Sequence, residues 1–134
     1  MIFLDTSFFV AFCLEEDDRH EEAVRIRKEL FAGKFGHAYT SEYVFDETLT
    51  LLLHLTKDLQ KTIKFGELLG KSAEILPVGS GAFSMSWTIF KQQRSTKFSF
   101  TDCTIINTLN SARIGNIATF DREFKTLRGI KVID

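Results

Sequence analysis

The first ten residues constrain the fold more than any other part of the chain. Ile2, Phe3 and Leu4 follow one another without polar alternation, and the apolar run is then interrupted by Asp5. Such a run is typical of a strand that helices cover on both faces, as in a parallel sheet. We therefore predict a central strand with Asp5 at its carboxyl end. In open α/β sheets ligands bind beyond this edge, although Asp5 could equally be the N-cap of the next helix.

Helical and extended patterns alternate through the rest of the chain. Amphipathic periodicity predicts helices over residues 6–14, with Thr6 as N-cap, and over 19–31, 41–55, 58–71, 82–93, 102–113 and 120–124. Short apolar segments predict strands over 37–40, 73–78, 116–119 and 130–133. This alternation predicts one domain over residues 1–134, a three-layer α/β/α sandwich with a mostly parallel five-stranded sheet.

Composition limits the classes of function. No apolar run approaches the roughly 18 residues of a membrane span, and the N-terminus lacks a signal-peptide layout, so we expect a cytoplasmic protein. Cys13 and Cys103 are far apart and in no metal-binding spacing, so we expect free thiols. The formal net charge is −1. Any nucleic-acid partner would therefore need a local basic patch or a bound cation.

One basic stretch is a candidate for such a patch. Residues 91–97 contain Lys91, Arg94 and Lys97, the densest group of cations in the chain. They are candidates for phosphate contact, or equally a solvated helix end where the dipole favours cations. On the preceding helix, the lone Trp87 is interpreted as a core residue rather than a stacking platform.

Four carboxylates are predicted to meet at one edge of the sheet. A helix that leads back to the next parallel strand begins at the carboxyl edge. Glu47 lies about 9 Å along one such helix, and Asp102 lies in the first turn of another. Asp5 and Asp121 each follow a strand directly, and no Lys, Arg or His occupies a matching position. Each acid also has a structural interpretation: Asp102 completes a capping-box variant with Ser99, Asp121 could be an N-cap, and Glu47 could face solvent.

Carboxylates gathered without cations would raise one another's pKa or bind a multivalent cation. Ligands that are all oxygen favour Mg²⁺ or Mn²⁺ over Zn²⁺. Such an ion suits phosphate-ester chemistry, and it also joins an acidic site to an anionic substrate. The four acids therefore indicate a metal-dependent reaction on a phosphodiester.

Four short motifs, taken in order, resemble the PIN domain, the nuclease fold of VapC-type toxins and related RNA-processing enzymes. They are Ile-Phe-Leu-Asp-Thr-Ser at residues 2–7, Phe-Asp-Glu-Thr-Leu at 45–49, Ser-Phe-Thr-Asp at 99–102 and Ala-Thr-Phe-Asp-Arg-Glu-Phe at 118–124. The resemblance spans nearly the whole chain and implies a parallel sheet of strand order 3-2-1-4-5.

The resemblance also implies a function. It implies a Mg²⁺- or Mn²⁺-dependent endoribonuclease, a toxin inhibited by a cognate antitoxin and a homodimer. The implied acidic quartet is Asp5, Glu47, Asp102 and Asp121, and the implied flanking residues that bind water or phosphate are Thr6, Ser7 and Thr119. Asp46, beside Glu47, leaves the second ligand open.

Three other functions are compatible with the sequence. The chain could be a PIN nuclease that processes RNA without being a toxin, or a module that binds RNA or protein without catalysis. It could also be a receiver-like domain in which an acid at the edge of the sheet accepts a phosphoryl group. The receiver-like alternative lacks a Lys in the expected position after a strand.

Overall fold

Five short parallel strands form the centre of the molecule. The structure, a computed structural model, describes residues Met1–Asp134. The strands are β1 (Ile2–Leu4), β2 (Ala38–Ser41), β3 (Glu74–Leu76), β4 (Asn116–Ala118) and β5 (Lys131–Ile133). Their order in the sheet is β3-β2-β1-β4-β5, and all four pairings are parallel. The predicted sheet order and the central position of β1 are confirmed.

Six α-helices and one 3₁₀ helix connect the strands. The α-helices are α1 (Thr6–Cys13), α2 (His20–Phe31), α3 (Glu42–Thr56), α4 (Leu59–Ser72), α5 (Ser80–Gln92) and α6 (Phe100–Ser111), and the 3₁₀ helix spans Arg122–Thr126. Ile2, Phe3 and Leu4 are completely buried. Because successive strand residues point to opposite faces, β1 is covered on both sides, which confirms the three-layer architecture.

Side-chain caps fix where several helices begin. Ser41, Asp58 and Ser99 accept hydrogen bonds from the first turns of α3, α4 and α6. The capping box that joins Ser99 and Asp102 is as the sequence predicts. The N-cap of α1 is Asp5 and not Thr6, so that detail of the prediction is wrong. Thr6 is already helical, since the chain turns directly from β1 into α1. Asp5 consequently sits where strand and helix meet.

The interpretation of Trp87 as a core residue is also wrong. Its side chain is 46% exposed, and its ring stacks on Phe90 with centroids 5.6 Å apart. The core is built instead from β1, β4 and the inward faces of α1, α2 and α6. Cys13 and Cys103 are free thiols, as expected. No helix has both the length and the apolar character that a membrane span would need.

Candidate active site

The four predicted acids line one open cleft of about 980 Å³ at the carboxyl edge of the sheet. Asp5 follows β1, and Asp121 follows β4 after two intervening residues. Glu47 comes from the second turn of α3, and Asp102 from the first turn of α6. Parallel connectivity thus brings carboxylates from four parts of the chain to one place, as predicted.

Asp5 is held by hydroxyl groups from the segments that follow β1 and β4. Its carboxylate, 4% exposed, accepts hydrogen bonds from Ser7 Oγ and Thr119 Oγ1, each at 2.7 Å. Ser7 Oγ in turn accepts the backbone N–H of Phe120 at 2.9 Å. Thr119 Oγ1 accepts the backbone N–H of Asp121 at 3.1 Å. These bonds tie the residues after β1 to those after β4, so Asp5 has a fixed position rather than a free side chain.

Glu47 and Asp102 are held by local bonds. Thr6 Oγ1 donates to Glu47 Oε2 at 2.5 Å, across the gap between α1 and α3. Asp102 Oδ2 accepts the backbone N–H of Ser99 at 2.6 Å, while Ser99 Oγ accepts the N–H of Asp102. The capping interpretation of Asp102 is therefore correct, and the same residue also lines the cleft. Asp121 likewise caps the 3₁₀ helix by accepting from Glu123 N–H at 2.8 Å.

Burial and mutual repulsion act on the protonation of three of these acids. Burial raises the pKa of Asp5, and the hydrogen bonds from Ser7 and Thr119 oppose this rise. The pKa of Glu47 is raised by burial first and then by the charges of Asp5 and Asp46. Burial, with the charges of Asp5 and Asp121, raises the pKa of Asp102 to about 6. Neighbouring carboxylates thus make Glu47 and Asp102 harder to ionise.

The donor types in the cleft fit a hard divalent cation. The four candidates Asp5, Glu47, Asp102 and Asp121 offer only oxygen, and their mutual repulsion is relieved by positive charge. In the present conformations, however, no group of three or more His, Cys, Asp or Glu side chains is arranged so that it could hold a metal ion. The carboxyl groups are engaged with hydroxyl and amide donors instead. The cleft therefore offers the donor atoms that Mg²⁺ or Mn²⁺ prefers, but the side chains are not arranged as a complete coordination sphere.

The cleft also contains residues that sequence reasoning missed. Arg19 and His54 both line the cleft, and neither was among the predicted site residues. Arg19 lies directly before α2, and His54 is on the same helix as Glu47, two turns further on. The helical spacing of Glu47, Thr50, Leu51 and His54 was the available signal for His54. The other missed lining residues are Val10, Asp17, Thr50, Leu51, Ser99, Thr101 and Phe120.

The basic stretch lies outside the lining of the cleft. Lys91 is at the end of α5, where its Nζ lies 5.6 Å from the centre of the Trp87 ring. Arg94 and Lys97 are exposed in the connection that leads to α6. Asp46 does line the cleft, beside Glu47.

Fold and cleft together define a class: a doubly covered parallel α/β domain with an acidic cleft beyond its central strands. The family model of the PIN domain matches residues 2–130, so the chain belongs to the PIN domain family. The family predicted from the four motifs is confirmed.

Known proteins share both sequence and fold with this chain. It is 28% identical over 132 residues to the 23S rRNA-specific endonuclease VapC20 of Mycobacterium tuberculosis, covering 98% of each chain. The crystal structure of VapC20, described as a sarcin-ricin loop cleaving toxin, superposes with a TM-score of 0.86 at 27% identity and complete coverage of both chains.

Two more distant structures share the fold. One is the DNA-bound VapBC complex of Salmonella typhimurium, with a TM-score of 0.71 at 18% identity over 98% of this chain and 95% of that one. The other is FitAcB of Neisseria gonorrhoeae, with a TM-score of 0.68 at 19% identity over 100% and 97%.

Proposed function

We propose that this chain is a metal-dependent endoribonuclease that hydrolyses phosphodiester bonds in RNA. The observation that carries the proposal is the gathering of Asp5, Glu47, Asp102 and Asp121 around one open cleft. Sequence similarity to an rRNA-specific endonuclease over 98% of both chains supports RNA as the substrate. An open cleft rather than a closed cavity also suits a polymer that is cut internally.

The four acids are the candidate ligands of Mg²⁺ or Mn²⁺. When bound, such an ion lowers the pKa of an attacking water and stabilises the departing oxygen. Asp5 supplies a carboxylate whose position Ser7 and Thr119 fix. Burial and the charges of Asp5 and Asp121 raise the pKa of Asp102 to about 6, so a bound cation would favour the ionised form of this ligand.

The polar neighbours of the acids keep the cleft in order. The hydrogen bond from Thr6 to Glu47 joins α1 to α3 and orients the Glu47 carboxylate. Ser7 and Thr119 join the ends of β1 and β4 and orient Asp5. We assign these three hydroxyl residues to positioning, and we expect their loss to lower activity less than loss of an acid.

We further infer that the chain is the cytoplasmic toxin of a toxin–antitoxin pair. The description of VapC20 as a toxin supports this role. A protein partner is also supported by an apolar cavity of about 320 Å³ lined by residues of α1, α2 and α4. Phe31, at the end of α2, lines this cavity and is 73% exposed, so an apolar segment of a partner would find a surface to bury.

The direct test is cleavage of total RNA by the purified chain with Mg²⁺, with Mn²⁺ and with EDTA. We expect discrete fragments only with a divalent ion, ending in 5′-phosphate and 3′-hydroxyl groups because the P–O3′ bond breaks. Asp121→Asn, which keeps an oxygen to cap the 3₁₀ helix, should strongly reduce cleavage. Binding of RNA without turnover would instead support a non-catalytic module.

A melting experiment tests the metal independently of RNA. An ion that binds only the folded chain stabilises it by about 2.7 kcal/mol at a concentration 100 times its Kd. Mg²⁺ should therefore raise the Tm of the wild-type chain and leave that of Asp121→Asn nearly unchanged. Equal shifts in both proteins would show that Asp121 is not a ligand of the ion.

Two further measurements separate the remaining alternatives. Growth arrest on expression, relieved by Asp121→Asn, distinguishes a toxin from an RNA-processing nuclease. A gain of one phosphoryl mass on incubation with a small phosphodonor would indicate the receiver-like alternative, and we expect none.

A further inference from the structure

Arg19 is the one arginine or lysine among the 16 residues that line the acidic cleft. The lining includes six carboxylates, from Asp5, Asp17, Asp46, Glu47, Asp102 and Asp121. A guanidinium at the mouth of such a cleft attracts an anionic polymer that the acids alone would repel. It also offers a planar fork that matches a phosphate group.

The guanidinium of Arg19 has no strong partner within the chain. Its ion pair with Glu22 is 3.6 Å long, and the two side chains are 49% and 40% exposed. A pair this exposed contributes little. The backbone of Arg19 is nevertheless fixed, because its N–H donates to Asp17 Oδ1 at 2.8 Å. The backbone of Arg19 is thus held in place, while its guanidinium can bind a ligand.

Phe120 forms the other half of the arrangement. The guanidinium carbon of Arg19 lies 5.9 Å from the centre of the Phe120 ring. Phe120 lines the cleft and packs partly against the core, and its backbone N–H is held by Ser7 Oγ. A half-buried aromatic ring in contact with an arginine is a pairing that proteins use for unpaired nucleotides: the ring stacks on a base, and the arginine contacts a phosphate.

We propose that Arg19 and Phe120 form a nucleotide-binding subsite at the mouth of the cleft. Arg19 binds a phosphate that neighbours the one to be cleaved, and Phe120 stacks on the base attached to it. The subsite rests on the proposed ribonuclease function. It selects unpaired RNA, since a base within a duplex cannot stack on a side chain.

The test is binding of a short fluorescein-labelled single-stranded oligoribonucleotide over a series of salt concentrations. Ca²⁺ replaces Mg²⁺, since it also takes oxygen ligands, and a gel verifies that the probe stays intact. The variants are Arg19→Ala, Arg19→Lys and Phe120→Leu. The matched control is Arg25→Ala, because Arg25 lies on α2, pairs with Glu29 and does not line the cleft.

The two residues should give different signatures. Arg19→Ala should weaken binding about tenfold at low salt and reduce the slope of log K against log salt by about 0.7, the loss of one phosphate contact. Arg19→Lys should retain the slope, because the charge remains. Phe120→Leu should weaken binding about tenfold with an unchanged slope, since stacking releases no counterions. Arg25→Ala should bind as the wild type does.

Specific outcomes would overturn the subsite. One is an Arg19→Ala chain that melts normally and matches Arg25→Ala in both affinity and slope. Another is an Arg19→Ala chain with wild-type RNA affinity and tighter Mg²⁺ binding, which would make Arg19 only a counterion for the acids. A duplex probe bound as tightly as the single strand would remove the stacking role of Phe120.

Failure of the subsite is distinguishable from failure of the proposed function. If the wild-type chain cleaves RNA and both substitutions leave binding unchanged, the subsite alone is wrong. If the wild-type chain neither binds nor cleaves any RNA, the proposed function is wrong and the subsite with it.

Discussion

Carboxylates in the cleft and on the outer face of α2 have opposite surroundings. Glu29 on α2 lies 2.9 Å from Lys34 and 3.3 Å from Arg25, and the hydrogen bond from Lys34 is the main cause of its lowered pKa. Glu47 and Asp102 face other carboxylates, and burial and repulsion raise their pKa values. Glu29 thus forms surface ion pairs with cations of its own chain. The acids of the cleft have no such partners on the chain, which is the basis for proposing that a metal ion compensates them.

The largest expected effect comes from removing one uncompensated charge. Asp5→Asn should reduce RNA cleavage about 100-fold or more, the scale on which loss of one preorganised electrostatic group acts. The fold should survive, because Asn also caps helices and accepts hydrogen bonds. Initial rates of RNA cleavage at saturating Mg²⁺, together with the Tm, measure both effects.

The matched control for Asp5→Asn is Asp58→Asn. Asp58 is likewise an aspartate N-cap, accepting from the N–H of Lys61 at 2.9 Å, but it does not line the cleft. We expect wild-type cleavage from this variant. Equal losses in the two variants would mean that capping, and not charge in the cleft, governs activity.

A smaller effect concerns the dependence of stability on pH without metal. The pKa of Asp102 is about 6 in the folded chain against an ordinary value of 3.8, so the folded state binds more protons than the unfolded state in that window. The free energy of unfolding should therefore fall as the pH rises from about 4 to about 6, by roughly 1 to 2 kcal/mol after allowance for solvent screening.

Urea unfolding in EDTA at several pH values measures this slope. Asp102→Asn should flatten it in part, since Asp5 and Glu47 also have raised pKa values. A slope of the same size in Asp102→Asn would show that Asp102 is not its source.

The smallest expected effect comes from Glu29, the carboxylate that is paired with cations on α2 and in the loop after it. Glu29→Gln should leave RNA cleavage unchanged and shift the urea midpoint only slightly, because the ion pairs of Glu29 are exposed and screened. Any loss should shrink below the lowered pKa of Glu29, where the carboxylate protonates, and in high salt. A large loss of cleavage would mean that the charges on α2 influence activity in the cleft.

Topology made the acids of the cleft predictable. Asp5 and Asp121 follow strands, and Glu47 and Asp102 lie near the starts of helices that return to the sheet, so connectivity places all four at one edge. A capping bond did not prevent an acid from also lining the cleft. Asp5, Asp102 and Asp121 cap helices and line the cleft together.

The path of the loop before α2 and the exposed face of α5 were not predictable in the same way. Arg19 reaches the cleft because of how residues 14–19 run between α1 and α2, and no periodic pattern encodes that path. Trp87 lies on an amphipathic helix, and periodicity shows that a helix has two faces without showing which neighbours cover them. Its exposure depends on tertiary packing that a local pattern does not contain.

The hydroxyl bonds around Asp5 have a consequence for when activity can arise. They join residues 112 to 114 positions apart, from Ser7 and Asp5 to Thr119 and Phe120. A chain emerging from the ribosome carries Asp5 early, but its partners arrive only after β4 has been synthesised and paired with β1. Closing a loop of this length costs more entropy than forming a local contact. The cleft is therefore complete only after β4 has been synthesised and paired with β1.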